Sequence, residues 1–317
     1  MIRLATVICA YTEDRWSLLE RAVESVERQG TESRLVMVVD HNDALYARAR
    51  TRWPAHRVVV NRFRQGLSGA RNSGIAAVPD ADIVAFLDDD AEAQPDWLRT
   101  LAAPFDDPTV GLVGGRVEPE WADSPPNWFP HEFLWVVGCS YVGLPEVAGD
   151  VRNPIGASMA VRRSVFDQVG MFADGIGRIG GVPLGCEETE LAIRAGRLGY
   201  RVRYEPASRV RHHVPATRAT PRYFLRRCYA EGVSKALVSR SVGRDAALQS
   251  ERTYVTRTLP LGVLGGFTAG HTGSLRRAAM IVAGCTSACA GYLIGSARGG
   301  RHDGGGALRE LPTEALV

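Results

Sequence analysis

Lysine is almost missing from this chain: the basic residues are arginines except for Lys235. Arginine forks onto phosphate better than lysine does. A GC-rich genome produces the same bias, so the bias alone points to no function. Net charge is also small. A formal value of +3 does not by itself imply a nucleic-acid partner. The cysteines (Cys9, Cys139, Cys186, Cys228, Cys285 and Cys289) form no C-x-x-C pair and no regular framework. They read as small buried hydrophobes in a reducing compartment, not as a disulfide scaffold. No charged leader, apolar core and cleavage site precedes the strand-like stretch from Arg3 to Ala10, so a cytoplasmic protein without a signal peptide is expected. No internal repeat is visible.

What is present is an ordinary folded composition, 45% apolar and 23% charged. A length of 317 residues suits one large domain, or one domain with an appendage. Strand and helix signals alternate through the first two-thirds. Ala5–Ala10, Leu35–Val39, Arg57–Val60 and Ile83–Leu87 are short apolar runs of strand type. Between them, Trp16, Leu18, Leu19, Ala22, Val23 and Val26 recur at helical spacing, and Leu67–Val78 forms a helix after a glycine-serine turn. Pro95 opens another helix that runs to Phe105. Such alternation predicts an α/β fold with a mostly parallel, doubly wound sheet. Ligands bind such sheets beyond the carboxyl ends of the strands.

Polar residues gather at that edge. Tyr11 to Asp14 follow the first strand, Asp40 ends the second, and Asp88, Asp89 and Asp90 close the fourth. Adjacent carboxylates repel one another, and a hard divalent cation such as Mg²⁺ or Mn²⁺ neutralises them while bridging substrate phosphates. A metal–diphosphate site is one reading of Asp88–Asp90. An acidic turn capping a strand is the other.

Beyond Val110 the pattern is less regular. Val110–Val117 is strand-like, and an aromatic stretch (Trp121, Trp128, Phe129, Phe133, Trp135, Tyr141) follows it. Those rings suit a core, with sugar stacking as the alternative. Gly156–Val161 leads into a helix from Arg163, and a glycine-loaded loop, Asp174–Gly185, precedes a helix from Glu187 to Leu198. Val202–Tyr204 is a strand, with His212 and His213 after it. Past Pro215 only helical signals remain, at Pro221–Val238 and Leu275–Ile294. Ala278–Ala297 carries no charge and is about long enough to span a bilayer, but it is rich in small residues. A buried or surface-lying helix is expected there, with peripheral membrane contact as the alternative and a true span the weakest reading.

Five motifs in order (Val7-Ile8-Cys9-Ala10-Tyr11, Val38-Val39-Asp40, Gly69-Ala70-Arg71-Asn72-Ser73-Gly74, Phe86-Leu87-Asp88-Asp89-Asp90 and Gly185-Cys186-Glu187-Glu188-Thr189-Glu190-Leu191) resemble those of family 2 glycosyltransferases. These are inverting nucleotide-sugar enzymes of the GT-A fold. The resemblance covers about residues 4–215. It implies a catalytic domain over 1–215, with a donor-binding half to about 118 and an acceptor half over about 119–215. A helical extension over 216–298 and a disordered tail over 299–317 complete the expected organisation.

The resemblance also assigns roles. Ala10, Tyr11, Thr12 and Glu13 fall in the loop that contacts base and ribose, although Glu13 can equally cap the next helix. Asp40 would accept the base imide N–H, or else cap a helix from Asn42 onward. Asp88 would hold the ribose, Asp89 would assist or bind the donor sugar, and Asp90 would ligate Mn²⁺ or Mg²⁺. Arg71 can fork onto phosphate or stack on the base. The alternative is a surface arginine paired with Asp88 or Glu92. Gly156 lies where backbone passes the donor sugar. Arg226, with Arg227 and Tyr229, can fold over the diphosphate, or simply lie on a solvated helix face. His212 or His213 would complete the metal shell.

Inverting transfer needs a general base for the acceptor hydroxyl. The acidic pair opening a helix is Glu187–Glu188, and Glu188 aligns with the family's usual aspartate, with Glu187 in reserve. The expected reaction moves a sugar from a nucleotide diphosphate, taken as UDP, to a small-molecule, glycan or lipid-linked acceptor. Sugar-phosphate nucleotidyltransfer and a non-catalytic nucleotide-sugar-binding protein are the competing readings. The first would need a glycine-rich basic loop directly after the first strand, where Cys9-Ala10-Tyr11-Thr12-Glu13 stands.

Overall fold

The structure is a computed structural model that describes residues 2–178, 183–243, 254–268 and 272–299. The expected tail beyond Gly299 lies outside the described residues, as does the middle of the Asp174–Gly185 loop. The chain divides into two compact units. The first takes Met1–Glu120, Pro145–Asp174 and Glu187–His213; the second takes Trp121–Leu144, Gly175–Cys186 and Val214–Val317.

The first unit holds a mixed sheet. Its strands are β1 (Leu4–Ala10), β2 (Arg34–Val39), β3 (Arg57–Val60), β4 (Ile83–Asp88), β5 (Ala91–Ala93), β6 (Val110–Trp121), β7 (Gly149–Asp150), β8 (Ser158–Arg162) and β9 (Arg201–Val214). The order is β3-β2-β1-β4-β8-β6-β9-β5, with β7 on β9. From β3 to β4 all neighbours are parallel. Helices α1 (Trp16–Glu27), α2 (Asp43–Arg52) and α3 (Leu67–Ala77) make the crossovers. Both sheet faces are therefore covered, which is why Leu35–Val39 and Ile83–Leu87 are buried without alternation. Gly74 lets α3 lie directly on β1, since a Cβ there would come within 2.4 Å of Val7 Cγ1.

After β4 the crossovers stop and the pairing turns antiparallel: β4 with β8, β6 with β8, β5 with β9. Helices α4 (Trp97–Ala102), α5 (Arg163–Val169) and α6 (Glu187–Arg197) fill in around this half. The last strand is longer than its apolar signal suggested. It runs to Val214 and pairs Ala91 with His212, so the two histidines lie inside it and not after it. Its buried residues alternate (Val202, Tyr204, Ser208, Val210, His212), as expected for a strand with one covered face.

The second unit is helical. It contains α7 (Pro221–Val242), a π-helical turn (Tyr254–Thr258), α8 (Leu259–Thr268) and α9 (Thr272–Gly299). Phe224 is fully buried and centres an aromatic cluster, with ring centroids 5.9 Å from Trp128, 5.4 Å from Phe129 and 5.3 Å from Phe133. Phe129 and Phe133 of the aromatic stretch are therefore core, while Trp121, Trp128, Trp135 and Tyr141 are half-buried. Gly232 and Gly291 bring α7 and α9 into near-backbone contact: a Cβ on Gly232 would meet Ala288 O at 1.9 Å, and one on Gly291 would meet Tyr229 O at 2.0 Å.

Candidate functional site

Strands β1, β2 and β4 end together. Asp40 N donates to Ala10 O at 2.8 Å, and Cys9 is in register with Asp88. The Asp40 and Asp88 carboxylates thus flank the end of β1. Burial first, and then the Asp88, Asp89 and Asp40 charges, push the Cys9 thiol up, while Arg71 opposes the shift.

Asp40 is buried and already holds several donors. Its Oδ1 accepts from Asn61 Nδ2 at 2.6 Å and lies 2.8 Å from His41 Nδ1; its Oδ2 accepts from Gly66 N at 2.9 Å. It is not a helix cap. That role belongs to Asn42, whose Oδ1 accepts from Leu45 N. A carboxylate offers about four lone-pair directions, so one remains for a ligand.

Asp88 is half-buried at the rim, whereas Asp89 and Asp90 are buried. Arg15 Nη1 sits between these two, 2.9 Å from Asp89 Oδ1 and 3.0 Å from Asp90 Oδ2. Burial works against its charge, but Asp90 and Asp89 outweigh burial and raise its pKa. Burial, and then the neighbouring Asp90 charge, push the Asp89 carboxyl up. Asp89 Oδ2 is buried with no hydrogen-bond partner. Sequence reading passed over Arg15. The available signal was a basic residue closing the Thr12-Glu13-Asp14 loop, and nothing local says that it turns inward.

His212 Nε2 lies 3.0 Å from Asp90 Oδ1. Donor atoms of Asp88, Asp90 and His212 all fall within 4.8 Å of one another, a cluster that can hold a metal ion. Two carboxylates and one imidazole suit Mn²⁺, and Mg²⁺ less well. His213 is not part of this group. Successive strand residues face opposite ways, and His213 donates its backbone N–H to Asp90 O. Burial lowers its pKa despite Glu120 and Asp90 nearby.

Arg71 ties the rim together. It is 1% exposed and stands over Phe86 and Phe172. Its Nη1 donates to Glu187 Oε1 at 2.8 Å, and its Nη2 to Asp88 Oδ1 at 3.3 Å and to Gly156 O at 3.0 Å. It is therefore an interior bridge between the end of β4 and the start of α6, not a surface arginine. Glu92, the other partner considered for it, is held by Arg21 at 2.7 Å. Gly156 is small for Arg71's sake, because a Cβ there would come within 2.8 Å of Nη2.

Glu187 and Glu188 open α6, where the helix N-terminus favours negative charge. Glu187 is 4% exposed, and its Oε2 is buried without a partner. Glu188 is half-buried and close enough to Arg71 to raise its pKa. The residue before them, Cys186, has φ 73°. Left-handed backbone is uncommon outside glycine and turns the chain sharply into α6. Of the remaining residues, Ala10 is buried, Tyr11 is 40% exposed beneath Arg15, and Glu13 is exposed 3.7 Å from Arg48. Arg226 lies on α7, in the second unit.

The sequence profile of Glycosyl transferase family 2 matches residues 6–170. A glucosyl-dolichyl phosphate glucuronosyltransferase from Haloferax volcanii is 34% identical over 75% of this chain and 77% of its own length. A pre-mycofactocin glycosyltransferase from Mycobacterium tuberculosis is 31% identical, and this chain spans only 37% of it. The chain belongs to glycosyl transferase family 2 and is a glycosyltransferase. Two solved structures share the GT-A fold. The mannosyltransferase PcManGT from Pyrobaculum calidifontis, in complex with GDP-Man and Mn²⁺, has TM-score 0.57 over 90% of this chain and 86% of that one, at 17% identity. GalNAc-T7 with UDP, GalNAc and Mn²⁺ has TM-score 0.58 over 83% of this chain and 59% of that one, at 17% identity.

Proposed function

We propose that this protein transfers a sugar from a nucleotide diphosphate donor, a UDP-sugar, to an acceptor hydroxyl with inversion at the anomeric carbon. The observation that carries this reading is the Asp88–Asp90–His212 cluster, set beside Asp40 on one sheet edge and joined through Arg71 to the acidic start of α6. When bound there, Mn²⁺ or Mg²⁺ would neutralise the departing diphosphate.

The chain's own residues do the rest. Asp40 offers its last lone pair to the uracil imide N–H. Asp88 faces the ribose hydroxyls while Arg71 fixes its carboxylate. Arg15 holds Asp89 and Asp90 apart from each other's charge. Glu188 takes the proton from the acceptor hydroxyl as that oxygen attacks opposite the leaving group. Glu187 is the weaker choice of base, because Arg71 Nη1 already holds its Oε1 at 2.8 Å. Its part is to anchor α6 to Arg71.

The acceptor class favoured is a lipid-linked saccharide handled on the cytoplasmic side. The support is the glucosyl-dolichyl phosphate named for the Haloferax relative.

The test is release of nucleoside diphosphate from a panel of labelled sugar nucleotides, with Mn²⁺ and with EDTA. Metal-dependent release and transfer are expected. Pyrophosphate-dependent triphosphate formation would point to nucleotidyltransfer instead, and binding without turnover to a non-catalytic protein. Glu188→Gln is expected to keep donor affinity and lose transfer by a factor of about 10² or more. If Glu187→Gln alone behaves so, the base is Glu187.

A further inference from the structure

Helix α9 has two unlike faces. The inner one (Ser274, Ala278, Ile281, Gly284, Gly291 and Gly295) is buried. Gly284 leaves room for Phe133 and Phe224, and Gly291 for the α7 backbone. Ser287 Oγ donates to Leu225 O at 2.8 Å, and Arg240 on α7 donates to the carbonyls of Gly295 and Ser296.

The outer face runs through Leu275, Ala279, Val282, Thr286, Cys289, Leu293 and Ala297, all exposed. Steps of four and three residues keep these on one stripe of the helix. No charge interrupts it, and Leu293 is 67% exposed. Helix α8 repeats the arrangement. Gly262 and Gly266 pack on Ile281 and Ala278 of α9, while Leu261, Leu264 and Phe267 are 59%, 59% and 66% exposed. Soluble surfaces carry scattered apolar residues, but not two helices with apolar outer stripes.

The segment's own charges are of one sign, although the Glu132 carboxylate from outside it lies against Gly262 of α8. From Tyr254 to Gly299 the sequence has Arg257, Arg276, Arg277 and Arg298 and no aspartate or glutamate. A second copy docked on this face would gather cations with no acidic residue of the segment to meet them. An anionic lipid surface meets both the apolar stripes and the arginines. Crossing the bilayer is a different matter. Gly273–Ala297 is long and apolar enough by composition. Its inner face, however, is fastened to α7, which carries Arg222, Arg226, Arg227, Glu231, Lys235 and Arg240. Stripping α9 away would break the glycine contacts, and taking α7 along would drag those charges into hydrocarbon.

We propose that the α8–α9 face of the second unit docks on an anionic bilayer surface, with α9 lying in the interface and not through it. The inference does not depend on the sugar-transfer reading.

Flotation of the full-length protein with phosphatidylcholine vesicles, with and without phosphatidylglycerol, tests it. Binding is expected only with the anionic lipid, and high salt or alkaline carbonate should release it. Arg276→Gln with Arg277→Gln should weaken binding about thirtyfold, taking the usual strength of a basic residue at such a surface. Leu264→Ser with Phe267→Ser should weaken it through the apolar contact, with circular dichroism unchanged in both variants. Carbonate-resistant insertion would overturn the proposal in favour of a span. Equal binding to neutral vesicles, or none to either, would overturn it too. So would a dimer in sedimentation that Phe267→Ser dissociates without any vesicle binding.

Discussion

In the sheet-bearing unit charged side chains go inside. Arg71, Asp89, Asp90, Glu187, Glu190 and His212 are all buried, and each lies beside an opposite charge or a metal-binding partner. In the helical unit the long C-terminal helices do the reverse. They bury glycine and alanine, keep arginine as their only strong charge, and leave leucine, valine and phenylalanine outside. Arg218 and Arg227 are exceptions there, both buried, and α7 also carries Lys235 and the half-buried Glu231 that Arg227 holds. Burying a charge is costly unless a partner stands in place. The first unit accepts that cost around a carboxylate cluster that can hold a metal ion. The second packs α7 against α9 through tight glycine contacts, which need no charge.

The contrast can be broken most severely at Asp90. Asp90→Ala should abolish turnover and remove metal-dependent donor binding, followed by calorimetry with Mn²⁺ and a nucleoside diphosphate. Normal activity in that variant would end the metal assignment. Next comes the loss of one arginine in each unit. Arg71→Met leaves Glu187 and Asp88 without their shared cation and should cost about 3–5 kcal/mol in urea unfolding. Arg276→Gln, on the exposed side of α9, should stay within about 0.5 kcal/mol. Equal effects would erase the distinction drawn between the units.

Gly291→Leu probes the helical unit's own device. Its side chain has no room against Tyr229 O, and overpacking of this kind costs about 1–3 kcal/mol. Donor binding at the carboxylate cluster should be unchanged. A pH-dependent test concerns Glu231. Burial works to raise its pKa, but Arg227, Lys235 and the Cys186 thiol hold it down to about 2, from an ordinary 4.5. A depressed carboxyl contributes stability above its unfolded value and loses it as pH falls through the folded one. The stability gap between wild type and Glu231→Gln should therefore be full above pH 4.5 and shrink toward pH 2. A gap that widens on acidification would contradict the pairing.

Much of the fold could be read in advance where one local signal dominates. Strands β1 to β4 announce themselves as short apolar runs because helices cover both faces of their sheet. Strand β5 spans only Ala91–Ala93 and has no signal of its own. The length of β9 was hidden by Pro206 and by Arg201, Arg203, Glu205, Arg209 and Arg211, which occupy the outer face of an alternating pattern. Among the site residues, Asp90 and His212 were expected at one metal site and lie together, joined by Asp88, which was expected at the ribose. Arg71 was expected to fork onto phosphate, to stack on the base or to pair with Asp88 or Glu92 at the surface; it pairs with Asp88, but buried, and holds Glu187 and Gly156 O as well. Arg15 went unnoticed.

The sequence by itself determined the family, the alternating strands and helices, the carboxylates at the strand ends and the uncharged C-terminal helix. Each of these is written in local composition, spacing or motif order. Only the tertiary structure decided that β9 carries His212 to Asp90, that Arg15 reaches between Asp89 and Asp90, and that Arg71, already beside Asp88, also bonds Glu187 across 116 positions of chain. Electrostatic pairing depends on distance in space, and distance in space follows from how the strands are ordered in the sheet, which no local stretch of sequence contains.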